Sequence, residues 1–340
     1  MYKLIKKALI PYSIGNRSLE IQKELHANSW NRDLHYKIVA DGVPYSARFI
    51  ADNRSPNSVF GDITNDILYE QTTFCRFLVN NGIPFMRLVP ISHDVPFTTI
   101  EWGSEIYRFI LFEWIEGQHI THCDKFIAEE FGKMAREIHD ISSLYNSSVF
   151  PKKSHLDGYS QFAKELRNKG NTATISKDNL NLIQRYVEEA EHHIENSMTN
   201  EYDFIVQSDL NPLNVIWDEN KRVIGIVDFE SIGYSDRIEG LAWLIKWYSR
   251  TDGIHSAEFS PSAANAFLKG YRGEHFLDRH DLGRLSSLLW LSGCLNWNFV
   301  RKTIEIIDAD NREKLKEHIV AYEERGRRLL SVVSTSSMSR

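Results

Sequence analysis

Phe204-Ile205-Val206-Gln207-Ser208-Asp209-Leu210-Asn211-Pro212-Leu213-Asn214-Val215-Ile216-Trp217, followed by Val223-Ile224-Gly225-Ile226-Val227-Asp228-Phe229-Glu230, decides how this chain reads. Short apolar runs, strand-like in composition, each give way to polar residues. The turn Asp218-Glu219-Asn220 joins the last two runs. An Asp-x-x-x-x-Asn pair means little by itself, because chance supplies one in a chain of this length. With each polar residue at the end of an apolar run, the pattern predicts that Asp209, Asn214 and Asp228 come towards one spot. The bland alternative is a turn whose Asx side chains cap backbone groups.

Outward from that stretch, the N-terminal third reads as strands. Leu34, Tyr36 and Ile38 alternate with His35, Lys37 and Val39, Asp41-Gly42 supplies a tight turn, and Tyr45, Ala47 and Phe49 alternate with Ser46, Arg48 and Ile50. Leu19–His26 adds a third antiparallel strand. A helix is predicted over 66–80, ended by Asn81-Gly82 and Pro84, with further strands over 98–102 and 106–113. Beyond Glu113 the spacing becomes helical, as at Ile127, Phe131, Met134 and Ile138 and at Ile183, Tyr186, Val187, Ala190 and Ile194. The polar stretch 145–174 reads as a long loop or insertion. Long helices return over 241–248, 282–297 and 312–330, and the Ser-rich tail 331–339 reads as a frayed end. The fold class is α+β, with a small antiparallel-sheet lobe over 1–115 and a larger, mainly helical lobe over 116–340.

Composition sets bounds on partners. The 340 residues carry 42% hydrophobic and 25% charged side chains, an ordinary globular balance. A formal charge of −6 disfavours nucleic acid. No stretch approaches the roughly 18 apolar residues of a membrane span, so neither membrane nor nucleic acid is expected as a partner. Cys75, Cys123 and Cys294 have no metal or disulfide spacing, and a cytoplasmic location is expected.

A carboxylate, an amide and a second carboxylate are the set that phosphoryl transfer uses: one orients and deprotonates the attacking hydroxyl, the others hold magnesium. At these residues the sequence resembles the aminoglycoside phosphotransferase and choline kinase family of protein-kinase-like small-molecule kinases. The family signature, His-Gly-Asp-x-x-x-x-Asn followed by Ile-Asp-Phe/Trp-Glu, is matched at Asp209, Asn214, Asp228 and Glu230. The resemblance implies a protein-kinase-like two-lobed fold, Asp209 as catalytic base, Asn214 and Asp228 as Mg2+ ligands, and ATP as donor. It also implies that backbone groups around Glu113 and Ile115 bind adenine, and that lobe 1–115 is the nucleotide lobe. Arg48 stands where protein kinases carry a phosphate-gripping Lys and choline kinases an Arg. Ile67, Glu70, Phe74 and Phe77 form one helical stripe, which predicts an ion pair between Glu70 and Arg48. His139 matches a histidine common in the family, and a bracing role near the catalytic loop is expected of it.

Gln207-Ser208 replaces His-Gly, Leu213 replaces a Gly, and the loop 27–33 between the first two strands contains no glycine. These departures motivate a competing reading, a catalytically silent nucleotide-binding or scaffold protein. The acceptor would be a small-molecule hydroxyl compound. Trp243, Trp247, Trp290 and Trp297, with Glu230, Asp236 and Glu239, would suit a cationic amino-alcohol, against the plainer reading of core tryptophans.

Overall fold

The computed structural model describes residues 1–15, 17–25, 32–52, 63–92, 95–172, 176–202, 204–256, 258–309 and 311–334. Most of the loop 27–33 and most of the Ser-rich tail lie outside the described residues. Helix α1 (Tyr2–Ala8) precedes strands β1 (Leu19–Glu24), β2 (Leu34–Ala40) and β3 (Val43–Ala51). Helix α2 (Asn65–Asn80) leads to β4 (Thr98–Trp102) and β5 (Glu105–Glu113), then to helices α3 (Lys125–Ser142), α4 (Leu156–Thr172) and α5 (Lys177–Ser197). Short strands β6 (Phe204–Gln207), β7 (Val215–Trp217), β8 (Val223–Ile226) and β9 (Ile232–Ser235) follow. Helices α6 (Arg237–Tyr248), α7 (Pro261–Tyr271), α8 (Arg279–Cys294), α9 (Trp297–Asp308) and α10 (Arg312–Ser334) close the chain.

Two compact units share these elements, and they divide the chain at more points than a single boundary after residue 115. One takes Met1–His119, Ile141–Phe150 and Asn214–Ile232; the other takes Ile120–Asp140, Pro151–Leu213 and Gly233–Arg340. The first unit is built on an antiparallel sheet in the order β1-β2-β3-β5-β4. Asp41-Gly42 makes the β2–β3 turn, with both residues at positive φ and Ala40 paired to Val43. One face of the sheet is the core: Ile38, Ala47, Phe49, Phe109 and Leu111 are buried against Leu4, Ile5 and Leu9. Strand alternation then sends Arg48 to the opposite face.

The second unit is mainly helical, with β6 and β9 paired as its small sheet. Residues 145–174 are not one long loop, since α4 occupies 156–172. Its apolar stripe is thin: Leu156, Tyr159, Ala163 and Leu166 are buried, at three- and four-residue steps, among Asp, Ser, Lys and Glu. The predicted helix 282–297 is also two helices. It stops at Cys294, and the Asn296 side chain accepts the Phe299 amide to start α9. Trp290 and Trp297 therefore lie on different helices, the first fully buried and the second 60% exposed. Among the described residues no helix is long and apolar enough to cross a membrane.

Candidate active site

In the first unit the β7–β8 hairpin sets the polar residues in place. Val215 pairs with Ile226, and the Val227 amide donates to the Asn214 carbonyl at 2.9 Å, so register alone sets Asn214 beside the residue that precedes Asp228. The turn is held by Asp218, whose carboxylate accepts the Asn220 and Arg222 amides at 2.8 Å each. The segment after β5 lies along this hairpin through paired hydrogen bonds between Gln118 and Trp217, at 2.9 and 3.0 Å. Only a glycine fits at 117, because a Cβ there would come within 2.5 Å of Ile216 and 2.7 Å of the Trp217 carbonyl.

Asp228 sits at φ +69°, in the left-handed region that an Asp tolerates better than most residues. Its carboxylate accepts the Glu230 amide at 3.3 Å and lies 3.5 Å from the Arg48 guanidinium. Arg48 also pairs directly with Glu230, which is 5% exposed. Burial alone would pull the Arg48 pKa down. Glu230, Asp228 and Asp33 more than offset it, so the guanidinium is held charged. Asn214 and Asp228 offer an amide oxygen and a carboxylate, the hard oxygen donors that magnesium takes, so the chemistry of the donor set fits that ion.

The partner expected for Arg48 was Glu70, and here the structure corrects the sequence. Glu70 accepts a hydrogen bond from the Tyr145 hydroxyl at 3.1 Å. The buried residues of α2 are Leu68, Gln71, Thr72, Phe74, Cys75 and Leu78, so the buried face keeps Phe74 of the stripe read in the sequence but is centred about one residue round from it. One residue is about 100° of helix, enough to turn Glu70 to the flank where Phe74 and Phe77 pack on Tyr145. It is Gln71 that reaches the site, donating from Nε2 to the Glu230 carbonyl at 3.1 Å. Of the residues expected to border adenine, Glu113 is exposed at the end of β5 and its amide donates to the Arg87 carbonyl. Ile115 is half-buried over Gly225, and no hydrogen bond to its amide is found among the described residues.

Asp209 belongs to the second unit, in the turn after β6. The Gln207 side chain accepts the Asp209 amide at 3.2 Å, and the Asn211 side chain donates to the Asp209 carboxylate at 3.0 Å. Gln207 therefore braces this loop, as an acceptor. His139 is buried and shares a 2.8 Å hydrogen bond with the Tyr271 hydroxyl. Burial, with Arg237 and Arg136 nearby, pushes its pKa down to about 3, so it stays neutral.

The acids suggested as a cation pocket are engaged elsewhere. Glu230 pairs with Arg48, and Asp236 caps α6 while binding Arg284 at 2.6 Å. Glu239 accepts from the Ser154 hydroxyl and the His155 amide. The tryptophan faces are occupied too: the Lys246 ammonium lies 3.8 Å from the Trp243 centroid, and Arg250 lies 4.7 Å from that of Trp247. Lys246 itself escaped the sequence reading. Its signal was a lone lysine in the Leu241–Tyr248 run, which is otherwise apolar and aromatic. One exposed group elsewhere, Asp278, His280 and Asp281, has ligand-type atoms within 4.8 Å of one another, but Asp278 and Asp281 there form the capping box of α8.

The profile of the "Phosphotransferase enzyme family" matches residues 65–280. No curated protein sequence matches the chain significantly. Among solved structures, an amicoumacin kinase in complex with AMP-PNP, Ca2+ and Ami superposes with a TM-score of 0.61 at 15% identity, covering 97% of this chain and 93% of that one. An aminoglycoside phosphotransferase from Alicyclobacillus acidocaldarius gives 0.61 at 12% identity, over 99% and 96% of the two chains. A microcompartment-associated aminopropanol kinase gives 0.60 at 14% identity, over 100% and 99%. At such identities the likeness speaks for the fold, which is the protein-kinase-like one expected from the sequence.

Proposed function

The chain belongs to the phosphotransferase enzyme family, among the aminoglycoside phosphotransferase and choline kinase-like small-molecule kinases, and from that premise we propose that it transfers the γ-phosphoryl group of ATP to a hydroxyl of a small metabolite. The observation that carries this reading is the charged Arg48 fixed beside Asp228, at the end of a hairpin that begins at Asn214. Arg48 would neutralise phosphate oxygens, and Glu230 and Gln71 keep it and its surroundings in place. Asn214 and Asp228 would hold magnesium. When bound, the ion supplies charge neutralisation on the phosphate oxygens. Backbone groups near Glu113 and Ile115 would border adenine, with Glu70 a flank residue of the same unit.

Asp209 takes the acceptor's proton. The acceptor oxygen bonds to the γ-phosphorus as the bond to the β,γ-bridging oxygen breaks, ADP leaves, and the proton passes on to solvent. Most of the acceleration comes from positioning and charge stabilisation, with Asp209 contributing on the order of 10²- to 10⁴-fold. Replacing Asp209 by Asn should therefore abolish acceptor-dependent ADP release in a coupled assay while ATP affinity stays within about threefold; wild-type turnover in that variant sinks the assignment. The departures at Gln207-Ser208 favour a second reading, a silent nucleotide-binding protein, and acceptor-dependent ADP release by the wild type eliminates it.

A further inference from the structure

The end of α6 holds a cluster that the proposed chemistry leaves unused. Lys246 is 8% exposed, yet among the described residues it has no hydrogen bond and no carboxylate within ion-pair distance. Its ammonium rests on Trp243, 3.8 Å from the ring centroid, with Trp247 at 5.5 Å. Three donors in the same short stretch are enclosed without a partner: the indole N–H groups of Trp243 and Trp247, and Nε of Arg250. Buried donors are nearly always satisfied, and a group of exceptions calls for an explanation. Here all four groups donate.

The charges facing Lys246 are of both signs. Arg250 opposes its positive charge, Asp209 favours it, and burial outweighs both, pushing its pKa down to about 7. His155, stacked on Trp243 at 4.3 Å, stays neutral, its pKa pushed down to about 4 by burial and then by Lys246 and Lys153. The proposed base thus has a buried cation within electrostatic reach, and the donor-rich wall beside it offers nothing to an ammonium.

We propose that Lys246, with Arg250 and the indole N–H groups of Trp243 and Trp247, forms an oxyanion site that selects an acceptor alcohol carrying a carboxylate or phosphate group. The proposal rests on the phosphotransferase reading above and narrows its substrate class. A buried ammonium without a counter-ion is costly in the free protein, and an acceptor oxyanion would supply the missing charge and accept the donated hydrogen bonds. A cationic acceptor would meet like charge in a low-dielectric wall, which works against binding.

Two measurements test this. In the first, sulfate is titrated, with saturating magnesium-ADP present to occupy the nucleotide site, while melting temperature is followed at constant ionic strength. Wild type should gain stability with saturation, Lys246→Met should weaken the apparent affinity about tenfold, and Trp247→Phe, which removes the N–H together with the five-membered ring that carries it, should weaken it a fewfold. Equal sulfate responses in wild type and Lys246→Met overturn the site.

In the second, ATP-dependent ADP release is compared across acceptors sharing one scaffold: glycerate, glycerol 3-phosphate, glycerol and 3-amino-1,2-propanediol. An anionic member should lead in kcat/KM by about tenfold or more. Which anion leads separates carboxylate from phosphate, Lys246→Met should raise KM for it, and Lys246→Arg should restore much of the loss. A lead for the amine or for glycerol overturns the proposal while leaving the kinase reading intact. Sulfate protection that depends on Lys246, without ADP release from any acceptor, upholds the anion site and counts against the kinase reading instead.

Discussion

Arg48 and Lys246 are both buried cations on regular elements, and they have opposite surroundings. Arg48 in the first unit is matched by Glu230 and Asp228, with Asp33 adding to the field that keeps it charged. Lys246 in the second unit sits on tryptophan rings beside another cation, and no carboxylate is within ion-pair distance among the described residues. A matched cation is fixed before any ligand arrives, whereas an unmatched one leaves its desolvation cost standing until something binds. The contrast explains why one pKa is raised and the other lowered, although burial pulls both down.

The largest stability effect expected from this comparison follows removal of the matched cation. Arg48→Met leaves Glu230 and Asp228 side by side without their counter-charge, and should cost about 3 kcal/mol in urea denaturation. A loss below about 1 kcal/mol would show the cluster to be far better hydrated than its burial indicates.

Removal of the unmatched cation should act in the opposite direction. Lys246→Met keeps the apolar stem and deletes the charge, so stability at pH 7 should rise by about 1–2 kcal/mol. The pH dependence gives the sign independently. The folded-state pKa of Lys246 is about 7 against the usual 10.5, so the unfolded chain binds more protons between those values. Wild-type stability should therefore climb as pH rises from 7 towards 10.5 and fall away again as pH drops to 7. The Met variant should lose that part of the slope in thermal melts taken from pH 7 to 9.5. An unchanged slope would mean that Lys246 keeps an ordinary pKa and that the contrast is false.

The smallest effect is expected at Glu70. Because its hydrogen bond goes to Tyr145, Glu70→Gln should change stability by less than about 1 kcal/mol. ATP affinity, read by calorimetry, should stay within about threefold. A loss matching that of Arg48→Met would return Glu70 to the role the sequence suggested for it.

Much of the fold could be read from local pattern. Alternation at 34–39 and 45–50 with Asp41-Gly42 between them gave the central β2–β3 pair, and the apolar runs that start after Asn214 and end before Asp228 gave the hairpin. What escaped depends on neighbours distant in sequence. Helix α4 hides because its buried face is one residue wide, and the end of α8 hides because a capping Asn296 interrupts a continuous apolar pattern. The partner of Arg48 was misread because several stripes on α2 are apolar, and only packing decides which is innermost. Lys246 was visible as a residue, but its pairing depends on neighbours such as Asp209 and His155 that are distant in sequence, and not on its own helix alone.

Whether Arg48, Asn214 and Asp228 form a working nucleotide site is decided by calorimetric titration of ATP into the purified protein, with and without magnesium. Saturable binding at one site is expected, strengthened at least about tenfold by the metal and lost in Arg48→Met. Absence of binding under both conditions, with the protein shown to be folded, would contradict it.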